Sequence, residues 1–192
     1  MARDLYLSDG KNIAELAAIA ASWRDKFEIQ RCDKVDIIAI LEFKLPRLWP
    51  SFHVKVVPDT HMKSNAKTSI SPPAIVIKKS VYISAAHGHP VSRFILAHEL
   101  GHLILHRKFE NEEMHDTEHG YEENISRLNA LESIEDQASI FCRFFMAPPA
   151  LAHRFIKDRE GLSKATGIPK SEAATSITLS KRQEFFDFDL PR

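Results

Sequence analysis

His98-Glu99-Leu100-Gly101-His102 sets two imidazoles and a carboxylate within one helical turn and a half of chain. With about 3.6 residues per turn, His98 and His102 leave an α-helix from nearly the same side. Their ring nitrogens can share one metal ion. Glu99, roughly 100° further round, can reach a water at that ion without being a ligand itself. This is the arrangement for zinc-activated hydrolysis, with manganese as the alternative ion.

A catalytic zinc usually takes three protein ligands and leaves a position open. His106 continues the i, i+4 series, but it lies a further turn along and about 80° round from His98. It reads as a helix-end residue, favoured near the negative end of the dipole. Leu105 and Lys108 occupy the places where a metzincin has glycine and histidine. The better third candidate is Glu135, in Glu135-Asp136-Gln137-Ala138-Ser139, with Glu132 and Asp136 as rivals. Ala138 would let its helix approach the HExxH helix closely, and Ser139 could hydrogen-bond a ligating histidine. His115 and His119 form another i, i+4 pair, but in a polar, acid-rich stretch that reads as solvated surface.

The elements that must position these groups follow from periodicity. Ile13, Leu16, Ala20, Trp23 and Phe27 mark a helix over 12–28, and Asp33 is a candidate N-cap for a second helix ending near Phe43, before Pro46 and Pro50. Alternation from Ser51 to Val57 predicts a half-exposed strand, Thr60 to Ser71 a loop, and Ala74–Ile77 with Val81–Ile83 further strand. Ser92 is the expected cap of a helix over about 92–108 that is apolar nearly all round. Burying His98, Glu99 and His102 there demands a partner for each, and Gly101 in its interior hints at a close neighbouring backbone. An apolar-periodic helix from Ile134 to Met146 stops at Pro148-Pro149, and two short helices flank Gly167-Ile168-Pro169. The class is α+β, mostly helical, with a small β-sheet packed beside the HExxH helix. Expected boundaries are 1–50, 51–150 and 151–192, in one compact unit.

Bulk composition narrows the function. The 192 residues carry 26 basic and 26 acidic side chains, so bulk charge does not support nucleic-acid binding. Only two cysteines, Cys32 and Cys142, are present, both expected as buried small hydrophobes, which suits a reducing compartment. Neither a signal-peptide core nor a membrane-spanning run is evident, so the expected location is the cytoplasm.

HELGHLILH followed by EDQASIFCRFFMAP resembles the ImmA/IrrE family of metallo-endopeptidases, whose pattern is AHELGH-x-x-LH and then ExxAN-x-FA. The resemblance runs from about Val54 into the C-terminal region. It implies a zincin-like, gluzincin-type core with His98, His102 and Glu135 as zinc ligands and Glu99 as catalytic base. Ser139 stands where the family usually has asparagine or aspartate. The implied partner is a protein substrate, a helix-turn-helix repressor of the XRE type, cut to derepress genes. Tyr82, His87 and His89 are candidates for the donor that steadies the oxyanion, and Ala74–Ser84 for the strand that receives an extended substrate. Two other readings compete. Leu162–Thr178 is spaced like a helix-turn-helix, which would make the chain a non-catalytic regulator binding DNA or a repressor, although an αα-hairpin suits the neutral charge better. A closed, structural metal site would make it a sensor or toxin-like partner instead.

Overall fold

The computed structural model describes residues 10–106 and 133–182. The acid-rich stretch with His115, His119 and Glu132 lies outside the described residues.

Helix α1 (Ile13–Lys26) starts at a capping box. The Asn12 side chain accepts from the Glu15 N–H at 2.9 Å and the Glu15 carboxylate accepts from the Asn12 N–H at 2.8 Å. Leu16, Ala20 and Arg24, four apart, are its buried face. A composite helix follows: α2 (Ile37–Ala39), a π turn (Ile40–Lys44) and α3 (Leu45–Leu48). Asp36, not Asp33, caps it, accepting from the Ala39 N–H at 3.0 Å. Nor does Pro46 end it. The Leu45 N–H reaches back to the Ile40 carbonyl, and this wider turn relieves the clash between a proline ring and the carbonyl one turn earlier.

Strands β1 (His53–Val57), β2 (Ala66–Ser69) and β3 (Ala74–Lys78) form a sheet in the order β1-β3-β2. β1 runs parallel to β3, from His53 opposite Ala74 to Val57 opposite Lys78. β2 runs antiparallel, from Ala66 opposite Ile77 to Ser69 opposite Ala74. β2 therefore replaces part of the loop expected over Thr60–Ser71. Its residues, Ala-Lys-Thr-Ser, carry no apolar alternation, and pairing with β3 makes the strand. β3 is central, so Ala74–Ser84 offers no open edge to a substrate. Val81–Ile83 is helical, within α4 (Lys79–Ala86), where Val81 and Ala85 are buried one turn apart and the Asp59 carboxylate accepts from the Ser80 N–H at 3.0 Å. Burial of that face overrides the β preference of Val and Ile.

Helix α5 (Pro90–His106) opens on proline, whose missing N–H costs nothing in a first turn. Ser92 lies inside it, buried, and the His89 carbonyl accepts its early Arg93 N–H at 3.1 Å. α6 (Ile134–Met146) is capped by Ser133, and α7 (Pro149–Arg154), α8 (Arg159–Thr166) and α9 (Lys170–Ser180) follow. The short α7 begins where Pro148-Pro149 stops α6, because proline is tolerated in a first turn.

One core cluster draws on every part of this order, from Leu16 through Leu100 and Phe141 to Ile177. Cys142 belongs to it, but Cys32 is exposed, in a turn held through its carbonyl oxygen and not by burial of its thiol. Arg24 makes that hold, donating to the carbonyls of Phe145 (2.6 Å), Ile29 (2.9 Å) and Cys32 (2.6 Å). A second buried arginine, Arg93, donates to the carbonyls of Val35 (2.5 Å), Gly167 (2.7 Å) and Thr166 (3.1 Å). Gly167 is left-handed, at φ 69°, and a Cβ there would lie 1.7 Å from the Arg93 guanidinium.

The most extensive helix contact is α5 on α6, and β2 lies against α5 as well. A Cβ at Gly101 would meet the Ala138 carbonyl oxygen at 3.1 Å and Phe141 Cδ1 at 3.1 Å, so hydrogen alone fits without a shift. Gly101→Val is expected to cost about 1–3 kcal/mol of folding stability through overpacking. Urea denaturation checks this, and an unchanged midpoint would mean that the two helices separate without cost.

Candidate metal centre

His98 and His102 project from α5 toward the first turn of α6, where Glu135 follows the Ser133 cap. Their Nε2 atoms lie 3.0 Å apart. Glu135 spans them, with Oε2 3.1 Å from His98 Nε2 and Oε1 3.2 Å from His102 Nε2. The three donor atoms fall within 4.8 Å of one another. Tetrahedral ligands on a zinc ion, at bonds near 2.0–2.1 Å, stand about 3.3 Å apart. The observed edges, with a different Glu135 oxygen facing each imidazole, are close to that spacing, so the residues fit such an ion. Hydrogen bonds from His102 and His98 hold the Glu135 carboxyl well below the ordinary carboxylate range. Anionic at neutral pH, it meets the first requirement of a ligand. Asp136, its rival, is not in the cluster.

The neighbours of these groups come from both α6 and the sheet. Ser139, one turn beyond Glu135, places its hydroxyl 3.4 Å from His98 Nδ1, on the ring side away from the cluster. Thr68 on β2 places Oγ1 2.7 Å from Glu99 Oε2 and 2.9 Å from the Glu99 carbonyl oxygen. Sequence reading missed Thr68 because its segment looked like loop. No spacing rule would have linked it to a helix 31 residues on.

The site lies in a cleft of about 690 Å³, lined among the described residues by Met62, Lys63, Ala66, Lys67 and Thr68 opposite the histidines and Glu135. The Lys78 N–H donates to the Asn65 carbonyl at 3.1 Å, which makes Asn65 and Lys78 a hydrogen-bonded pair. Antiparallel pairs alternate, so Ala66 and Thr68 direct their backbone N–H and C=O groups outward, along the open edge of β2.

Three sequence candidates lie elsewhere. Tyr82 donates to the Glu42 carboxylate and lines a separate groove with Phe52 and Val54. His87 caps α4, its Nδ1 2.7 Å from the Ile83 carbonyl oxygen. His89 precedes α5, where its carbonyl accepts from Arg93. None lines the cleft, because β3 and α4 carry this segment behind the edge strand rather than along it. His106 departs from expectation in the other direction. It is 2 % exposed and faces the cleft, its ring centroid 5.6 Å from that of His102. Burial, chiefly, lowers its pKa to about 3, with the His102 and Lys11 charges adding to the shift and a hydrogen bond with the Ile134 backbone opposing it. It is thus held neutral instead of serving as a cation for the helix end.

A helix-borne histidine pair, a glutamate from a second helix and a small flanking sheet define a zincin-like domain of metallopeptidase type. The chain belongs to the Peptidase_M78 family, described as the IrrE N-terminal-like domain, whose model matches residues 51–175. No curated protein matches the chain. No helix among the described residues is long and apolar enough to cross a membrane.

Because His106 is favoured neutral in the fold, the unfolded chain binds its proton at higher pH. The corresponding stability is fully present above about 6.5 and is lost as pH falls toward about 3. Glu135 acts in the same direction but only below its ordinary value of 4.5. The expected outcome is that His106→Gln flattens the pH dependence of unfolding in zinc-free protein between pH 4.5 and 6.5. A slope equal to that of the wild type would assign the dependence to other groups.

Proposed function

We propose that this chain is a zinc-dependent endopeptidase that cuts an extended segment of a protein substrate. The observation that carries the reading is the joint placement of His98, His102 and Glu135 within reach of one ion, with Glu99 lining the same cleft. Zinc bound there, or manganese in its place, supplies Lewis acidity toward the scissile carbonyl and acidifies a water. Glu99 is the base that takes the proton from the attacking water at its carboxylate and delivers it to the departing amine. Ser139 restrains the His98 ring through Nδ1, as outer partners of metal-binding histidines do.

The substrate lies along β2, not along Ala74–Ser84. Outward N–H and C=O groups of Ala66 and Thr68 can each pair with an added strand, and the cleft between β2 and α5 holds the bond to be cut. An XRE-type helix-turn-helix repressor is the substrate class implied by the family, and the chain acts in the cytoplasm to relieve repression. The DNA-binding alternative gains little. Leu162, Ala173 and Ile177 turn the apolar faces of α8 and α9 into the core, Ile168 of the junction is buried with them, and Lys170 is paired with Glu160.

Purified protein should hold about one zinc per chain. Glu99→Gln should keep that metal and lose about 100-fold or more of its cleavage of a cognate repressor, the usual scale for a removed general base. Glu135→Ala should lose metal affinity, seen by competition with a chromophoric chelator. Equal cleavage by wild type and Glu99→Gln at full zinc content would end the catalytic reading.

A further inference from the structure

We infer that Thr68 is the positioning residue for Glu99, and that it ties the place of the base to the strand on which substrate lies. The side chain and the main chain of this one residue face different tasks. Its backbone N–H and C=O point along the open edge of β2. Its side chain points to α5, on the same strand face as Ala66, which is buried.

The Thr68 hydroxyl lies within hydrogen-bond distance of two oxygens of the same residue, Glu99 Oε2 at 2.7 Å and the Glu99 carbonyl at 2.9 Å. Contact with both ends of Glu99 fixes more than a distance. A glutamate carboxylate sits on three rotatable bonds, and a hydroxyl whose single hydrogen lies between the carbonyl and carboxylate oxygens of one residue selects one way of folding that side chain back. Among the described residues, the cleft around Glu99 is otherwise lined by the ligand cluster, His106, Ser64 and apolar or lysine side chains. β-Branched Thr68 is itself stiff at χ1, so the strand backbone sets the hydroxyl. A strand added along β2 would then be registered against Ala66 and Thr68, and the base against the Thr68 side chain, within one residue of each other.

A base displaced by about 1 Å can cost on the order of 100-fold in rate. The kinetic test rests on the endopeptidase reading. Thr68→Val keeps the branched shape and the outward backbone groups but removes the hydroxyl; Thr68→Ser keeps the hydroxyl. With zinc-loaded protein and a cleavable repressor, Thr68→Val should lower kcat at least about tenfold, leave KM within about twofold, and retain full zinc. Thr68→Ser should recover most of kcat. Wild-type kcat in Thr68→Val would overturn the inference, as would a Thr68→Ser variant as impaired as Thr68→Val. A second measurement needs no activity: crystal structures of the zinc-free proteins. The Glu99 carboxylate should keep its place in wild type and Thr68→Ser and turn away in Thr68→Val. An unmoved carboxylate in Thr68→Val would overturn the positioning role even if no substrate is ever cut, whereas equal cleavage by wild type and Glu99→Gln bears only on the endopeptidase reading.

Discussion

The approach of α5 to α6 at Gly101 is the constraint on which the rest depends. Neither helix alone holds the whole candidate metal cluster: α5 brings the histidines and α6 brings Glu135. The donors meet because Gly101 lets the Ala138 carbonyl and the Phe141 ring sit where a side chain would otherwise stand. Glycine inside a helix costs about 1 kcal/mol relative to alanine. Here it permits the carboxylate of Glu135 to lie 3.1–3.2 Å from both imidazoles. Phe141, Cys142 and Phe145, all buried, then hold α6 in place from the core side.

Two buried arginines hold the frame around this contact. Arg24 ties α1 and the turn after it to the Phe145 carbonyl near the end of α6. Arg93 ties the start of α5 to Val35 and to the α8–α9 junction. Each guanidinium is charged and removed from water, and burial depresses both pKa values, yet each is surrounded by carbonyl oxygens that accept hydrogen bonds from its N–H groups. Parts of the chain on either side of α5 are thereby fixed to it or to α6 by hydrogen bonds of defined direction. Apolar contact alone would leave them freer to slide.

Much of this was legible in the sequence where function and periodicity coincide. HExxH on an all-round apolar helix has few alternatives to a metal partner, and Glu135 is distinguished by the small Ala138 and by the apolar helix it begins. Gly101 likewise signalled a close backbone. Legibility failed where pairing or burial outweighs local composition. Ala66–Ser69 is strand only because β3 lies beside it, and Val81–Ile83 is helix because Val81 and Ala85 share a buried face. Tyr82, His87 and His89 looked close to the site in sequence but lie behind the sheet edge or at helix ends. Thr68, remote in sequence, touches Glu99. His106 obeyed its spacing but not its expected environment, since exposure cannot be read from an i, i+4 interval.

The division of the donors between a local pair and a remote third has a thermodynamic consequence. His98 and Glu135 are 37 residues apart, so an ion held by both would close a loop of that length, as a covalent cross-link does. A half-folded chain, with α5 formed and α6 undocked, offers the histidine pair alone. Three-donor affinity would belong only to the docked form, so a bound ion would discriminate between a finished fold and an unfinished one. Catalytic competence and structural completion would then be acquired in the same event.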